Sequence, residues 1–177
     1  MTRRAVFLDR DGVLNRAFVR NGKPYPPKDL SELQILPEVP EALQALKAEG
    51  FDLIVVTNQP DVARGTTKRE VVDAINSRLR AELPLDEVVT CFHDESDNCD
   101  CRKPKPGMLR RMEKERDIDL RRSFLVGDRW RDIEAGIAAG CKTIFIDYGY
   151  SERNPAAQAD YVCKTLFQAA AWIKVVG

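Results

Sequence analysis

From end to end the chain alternates short apolar runs of strand length with stretches whose apolar residues fall on one helical face. No other feature restricts the fold as much. The runs are residues 5–8 (Ala-Val-Phe-Leu), 51–57 (Phe-Asp-Leu-Ile-Val-Val-Thr), 87–93, 123–128 and 143–147. Near-continuous apolar runs rich in β-branched residues suit strands covered on both faces. Between the runs, Val39, Ala42, Leu43 and Leu46 recur at one-face spacing after Pro37, and Gly50 stops that helix. Thr67 with Glu70 predicts a capping box, followed by Val71, Ile75 and Leu79 on one stripe. Weaker helical patterns cover 107–116, 130–139 and 165–173. Strand and helix in alternation predict an α/β three-layer sandwich with a mainly parallel central sheet. A chain of 177 residues fits one such domain, 1–177.

Charge narrows the partners. Lys plus Arg is 28 and Asp plus Glu is 28, so the net charge is zero and nothing favours nucleic acid. The start, Met1-Thr2-Arg3-Arg4, leads directly into a strand, and no run approaches the ~18 apolar residues of a membrane span. The expectation is a cytoplasmic monomer without membrane or nucleic-acid partners. Five Cys in a cytosolic chain favour metal or thiol chemistry over disulfides.

The polar residues that matter lie at the predicted strand ends, where open parallel sheets bind ligands. The first strand ends on Asp9-Arg10-Asp11-Gly12. Two carboxylates two positions apart can hold a divalent cation and leave one free for chemistry, and Gly12 permits the sharp turn that follows. The next cluster is Thr57-Asn58-Gln59, whose hydroxyl and amides can donate to an anion or make an Asx-type turn. The third is Arg102-Lys103-Pro104-Lys105-Pro106, a cationic loop stiffened by prolines. Facing the acids, Lys103 can neutralise phosphate oxygens and Arg102 can clamp a second polar group. The fourth is Gly127-Asp128-Arg129, with Asp132 one turn on, offering a third metal carboxylate and a residue to orient it. One segment breaks the rhythm. Residues 15–36, with Asn21-Gly22-Lys23-Pro24-Tyr25-Pro26-Pro27, are too proline-rich for a helix and predict a substrate-facing loop.

Asp-x-Asp, then Thr, then Lys, then Gly-Asp at successive strand ends resembles the haloacid dehalogenase-like (HAD) phosphohydrolases, a Rossmann-like fold. The most similar branch is the D-glycero-D-manno-heptose 1,7-bisphosphate phosphatases, with the related histidinol-phosphate phosphatase domain. The resemblance rests on Phe7-Leu8-Asp9-Arg10-Asp11-Gly12-Val13, Val56-Thr57-Asn58-Gln59, Ala63-Arg64-Gly65, Cys99-Asp100-Cys101-Arg102-Lys103-Pro104 and Val126-Gly127-Asp128. It implies a phosphomonoester hydrolase of carbohydrate metabolism, acting on a phosphorylated small molecule such as a lipopolysaccharide precursor. No insertion is long enough for a separate cap domain, so the 15–36 and 91–103 loops are expected to form the rim.

The same branch accounts for the cysteines. Cys91, His93, Cys99 and Cys101 make a Cys₃His set that suits tetrahedral zinc, and a closed four-coordinate site is structural. Because Cys101 directly precedes Arg102-Lys103, the metal would fix the loop carrying both cations. Cys141 and Cys163 sit beside predicted strands and read as small core residues.

Chemistry then assigns roles. Asp9 attacks phosphorus and forms an aspartyl-phosphate. Mg²⁺, held by Asp9, Asp128 and, as the resemblance implies, the Asp11 backbone carbonyl, cancels charge opposite Lys103. Asp11 protonates the leaving alkoxide and then deprotonates the hydrolytic water. Thr57, Asn58, Gln59 and Arg129 are expected to contact phosphate, and Arg102 the rest of the substrate. The chain departs from the branch in having Arg129 where the branch has Lys and Pro60-Asp61 where it has Ser-Gly. Its loop after Asp11 is also longer, and basic at Arg16, Arg20 and Lys23. Two rivals are a response-regulator receiver domain and a zinc-stabilised binding module. The first places its acceptor on a middle strand and has no zinc loop; the second has no use for Asp9, Asp11, Lys103 and Asp128 together.

Overall fold

The computed structural model describes residues 2–177. Its main sheet contains β1 (Ala5–Leu8), β4 (Asp52–Asn58), β5 (Glu87–Cys91), β6 (Phe124–Gly127), β7 (Lys142–Ile146) and β8 (Tyr161–Cys163). All pairings in it are parallel, in the order β5-β4-β1-β6-β7-β8. The chain runs outward from β1 through β4 to β5, then returns to lay β6 on the other side of β1. The reversal puts a crevice outside the carboxyl ends of β1, β4 and β6, where polar side chains can gather without disturbing the core.

Helices cover both faces. Val6 and Leu8 of β1 pack with α1 (Val39–Ala48), α2 (Arg69–Glu82) and α5 (Leu166–Val176). Ala5 and Phe7 face the opposite way, toward α3 (Gly107–Arg116) and α4 (Trp130–Ala139). Every residue of β1 and β6 is buried, which is why these strands read as unbroken apolar runs. Helix α4 lies so close to the sheet that a Cβ on Gly136 would come within 2.5 Å of Thr143 Cγ2. No helix of the described residues is long and apolar enough to cross a membrane.

The expected fold class holds, with local corrections. Thr67 does not cap α2: the helix starts at Arg69 with Lys68 at the N-cap and no side-chain cap. The preceding residues instead wrap around one carbonyl, Asp61 O, which accepts from the Thr66 and Thr67 N–H groups at 3.0 and 3.1 Å. Val71 is only half-buried, because Val72, Ile75, Asn76 and Leu79 form the inward stripe. Strand β8 carried no signal, since three residues at a sheet edge are too few to show a period. The 15–36 segment is more ordered than a plain loop. It holds an antiparallel hairpin of β2 (Phe18–Arg20) and β3 (Lys23–Tyr25). Both turn residues, Asn21 (φ 50) and Gly22 (φ 73), are left-handed, as a two-residue turn between twisted strands requires. Two isolated strands are marginal in water. Here the tip leans on the segment after β7, where the Ser151 N–H donates to Gly22 O at 2.8 Å.

Phe7 is fully buried at the centre of the sheet, whereas Val19 on the hairpin is 57 % exposed. Urea titration is expected to show Phe7→Ala losing about 3–5 kcal/mol. Val19→Ala should stay within about 0.5 kcal/mol of the parent protein.

Candidate active site

The crevice is a cavity of about 320 Å³. Asp9 and Asp11 reach it from the end of β1, Lys103 from the segment between β5 and α3, and Asp132 from the first turn of α4. Lys103 is buried, and its Nζ donates to Asp9 Oδ1 at 2.8 Å, Asp132 Oδ1 at 2.6 Å and Val56 O at 2.6 Å. Three acceptors satisfy all three protons of the ammonium. Burial alone would push the Lys103 pKa down, but the Asp132 and Asp9 carboxylates outweigh it and hold the pKa above the usual lysine value. For Asp9 the balance is reversed. Burial first, then the Asp132 charge, raise its carboxyl to about 6 against the pull of Lys103.

Asp128, next to the end of β6, is 1 % exposed. Its Oδ2 accepts from Tyr150 Oη at 2.8 Å, and its buried Oδ1 has no hydrogen-bond partner among the described residues. Burial, then Asp9 and Asp132, push this carboxyl well above the usual carboxylate range. One oxygen from each of Asp9, Asp128 and Asp132 lies within 4.8 Å of the others. Three carboxylates against one ammonium leave surplus negative charge in a desolvated place, and a divalent cation would balance it. The turn after β1 is shaped around this group. Gly12 has φ +89, and a Cβ there would lie 2.0 Å from Asp128 Oδ2. Glycine alone lets the backbone pass so close.

Asp11 stands apart from the carboxylate cluster. Arg10 Nε and NH2 donate to it at 3.2 Å each, Asn15 Nδ2 at 3.0 Å and Gln59 Nε2 at 2.9 Å. Arg10 is fully buried and is itself held by Asn76 Oδ1 at 3.0 Å, so the carboxylate that lines the cavity is fixed from behind.

The remaining expected residues divide. Gln59 lines the cavity and also donates to Thr57 Oγ1 at 2.9 Å, leaving the buried Thr57 hydroxyl its own proton to donate. The Asn58 side chain lines the cavity but also has structural work. Its Nδ2 donates to Lys103 O and its Oδ1 accepts from Lys103 N, both at 3.0 Å, so it works as a clip that fastens the lysine loop to β4. Arg129 lines the cavity but is gripped by Glu152, with Nε–Oε1 at 3.1 Å and NH2–Oε2 at 2.6 Å. Its charge is already matched, which burial and an ion pair enforce together. Arg102 lines the rim with one long contact, to His93 O at 3.4 Å. Lys23, Pro24 and Tyr25 of the hairpin line the same cavity. Sequence reasoning missed Tyr148, Tyr150 and Glu152, and took Asp132 for a partner of Asp128 when it partners Lys103.

The four thiol and imidazole candidates come together. Cys91 Sγ is 3.7 Å from Cys99 Sγ and 3.0 Å from Cys101 Sγ, and His93 Nδ1 is 3.3 Å from Cys101 Sγ. Burial would raise the Cys99 thiol, but the Arg102 N–H and the neighbouring thiols bring it to about 7. Burial and the other two thiols push Cys101 the opposite way. Arg64 fastens this loop to the segment after β4 through a two-pronged pair with Asp94, at 2.8 and 2.7 Å.

Known proteins resemble this chain in sequence and fold. The HAD-hydrolase-like family model matches residues 100–169. The D-glycero-beta-D-manno-heptose-1,7-bisphosphate 7-phosphatase of Pseudomonas aeruginosa is 38% identical over 160 residues, covering 87% of this chain and 86% of that one. The chain belongs to the HAD-like phosphatase family. A second such phosphatase, from Pasteurella multocida, is 35% identical over 185 residues, with 97% of each chain covered. The crystal structure of D,D-heptose 1,7-bisphosphate phosphatase from B. bronchiseptica, complexed with magnesium and phosphate, superposes with a TM-score of 0.82 at 30% identity, covering 98% of this chain and 99% of that chain. Among its described residues this HAD-like phosphatase therefore shares its overall fold with that structure.

Since a Cβ at Gly12 would collide with Asp128, Gly12→Ala is expected to displace the carboxylate by about an ångström. Hydrolysis of an aryl phosphate should fall about 10²-fold while the melting curve remains cooperative.

Proposed function

We propose that this phosphatase hydrolyses a phosphomonoester of a sugar bisphosphate, D-glycero-D-manno-heptose 1,7-bisphosphate, with Asp9 as nucleophile. The observation that carries the reading is the buried Lys103 ammonium bridging Asp9 and Asp132 beside the unpartnered Asp128 Oδ1, at the floor of a cavity with a basic rim. That orphaned oxygen and the surplus of carboxylates fit Mg²⁺, which Asp9 and Asp128 would hold together with the Asp11 carbonyl. When bound, the ion offsets the repulsion between an anionic nucleophile and an anionic phosphate.

The chain's own residues do the rest. Lys103 holds Asp9 Oδ1, so Oδ2, which has no protein donor among the described residues, is the oxygen that attacks phosphorus. The phosphoryl group passes to Asp9 and the sugar oxygen leaves. Asp11, locked by Arg10, Asn15 and Gln59, gives that oxygen a proton and afterwards takes one from the water that hydrolyses the aspartyl-phosphate. The Thr57 hydroxyl proton and the Lys103 charge meet the transferring group. Arg102, a rim cation with a single long internal contact, meets the second phosphate. Residues 15–36, with their hairpin, act as the substrate-facing wall.

Zinc in the cysteine loop is the second part of the proposal. A tetrahedral site with Zn–S of about 2.3 Å has ligand edges of about 3.8 Å. The thiol spacings of 3.0–3.7 Å are those of a set that metal would open slightly. Its work is mechanical: it stiffens the turn from Cys101 into Arg102 and Lys103. The protein acts on a small molecule as a cytoplasmic monomer.

Asp9→Asn is expected to abolish turnover, because an amide cannot take up the phosphoryl group; near-normal steady-state activity would remove the covalent mechanism. Elemental analysis should give about one zinc per chain, lost in Cys101→Ser together with activity but not with the overall fold. In kcat/KM, the bisphosphate should exceed its monophosphates by about 10- to 150-fold, the worth of one charge-assisted contact of roughly 1.5–3 kcal/mol. Arg102→Ala should erase most of that ratio. A monophosphate preferred over every bisphosphate would overturn the substrate.

A further inference from the structure

The segment that follows β7 forms a strap against the carboxylate cluster, and the mechanism above makes no use of it. Tyr148 and Tyr150 stack on one another with ring centroids 5.5 Å apart and planes inclined by 25°. Each sends its hydroxyl to the same corner of the site. Tyr148 Oη donates to the Gly12 carbonyl at 2.9 Å, and Tyr150 Oη donates to Asp128 Oδ2 at 2.8 Å. The strap is pinned on both sides, by the Ser151 N–H on Gly22 O at 2.8 Å and by Glu152 on Arg129.

The consequence for Asp128 is specific. Its Oδ2 is taken by a phenol and pressed against Gly12, where even a methyl group would not fit. Its Oδ1 is buried with no partner among the described residues. A carboxylate fixed at one oxygen cannot rotate freely, so the place of Oδ1 inside the carboxylate cluster is set by the bond at Oδ2. We propose that Tyr150 is a positioning residue for the catalytic cation, holding Asp128 so that Oδ1 is the oxygen presented to the metal. Outer hydrogen bonds of this kind set the orientation and basicity of metal ligands. The assignment rests on Asp128 being a ligand of Mg²⁺, as the proposed function has it.

The neighbouring residues sharpen the role. Asp132 is a second buried carboxylate of the three, and it is oriented by Lys103 Nζ and by the Arg129 N–H at 3.1 Å. Asp9 is oriented by Lys103. Tyr150 is the one side-chain donor to Asp128 among the described residues, so no second bond takes over its role.

The test is Tyr150→Phe in the full-length protein, which removes one oxygen atom and keeps the stacked pair. Mg²⁺ binding is measured by titration calorimetry on the resting protein, alongside the Mg²⁺ dependence of aryl phosphate hydrolysis and the melting temperature without added Mg²⁺. The dissociation constant for Mg²⁺ and the concentration giving half-maximal activation should each rise about 10-fold. At saturating Mg²⁺, kcat should stay within about twofold of the parent, because a role in ligand placement is restored by mass action. An unchanged Mg²⁺ affinity, with or without a lower melting temperature, would overturn the assignment and leave Tyr150 as packing only. Absence of Mg²⁺ binding in the unsubstituted protein would instead strike the proposed metal site itself, so the two failures are distinguishable. Loss of kcat at every Mg²⁺ concentration with unchanged affinity would also overturn the proposal.

Discussion

Burying an ammonium costs several kcal/mol unless its protons are all met, and at Lys103 every one of them is. Its three acceptors come from three separate places: the end of β1, the β4 backbone and the first turn of α4. Two carboxylates that would repel each other across a dry gap are thereby held at a fixed separation. The attraction also works in reverse, since two acids around one amine keep the amine charged in a site from which water is excluded. What remains uncompensated is Asp128, and that residual charge is the reason the crevice calls for a cation. The chemistry of this HAD-like phosphatase starts from that imbalance.

A lysine placed so tightly needs a backbone that does not drift, and the loop carrying it is fastened at several points. Asn58 clips both the N–H and the carbonyl of Lys103 to the end of β4. Arg64 and Asp94 join the two loops further out. The cysteine and histidine cluster sits just before the lysine in the chain, where a bound metal would stop the turn from flexing. The base of this loop is packed close, for a Cβ on Gly107 would fall 2.1 Å from Asp100 O. Rigid placement of this sort is what lets a few charges act on a transition state rather than relax around it.

The strand ends were legible because an apolar run that stops abruptly on charged residues violates its own pattern. Asp9, Asp11 and Asp128 announce themselves in that way, Lys103 by its place in a proline-stiffened cationic run, and the cysteines by density. The residues that escaped notice have partners far away in sequence. Tyr148 bonds a carbonyl 136 positions distant, and Tyr150 and Glu152 bond Asp128 and Arg129 at separations of 22 and 23. An aromatic in a glycine-containing turn has no period to betray it. The clip role of Asn58 was hidden for a related reason: an amide beside a threonine suits an anion as well as it suits a clip, and only the facing backbone shows the second role. The hairpin was hidden by prolines that an edge pair tolerates and a central strand does not.

The crevice has no local precursor anywhere along the chain. Asp9 and Lys103 are 94 positions apart, and no two of the clustered carboxylates that face different strands can meet until β6 has returned to pair with β1. Long-range parallel pairing of this kind is slow, because loop closure precedes any reward from contact. Recovery of hydrolysis during refolding therefore requires that β6 has paired with β1. A fragment that kept most of its helices would be catalytically silent. For this molecule, activity is a readout of completed topology.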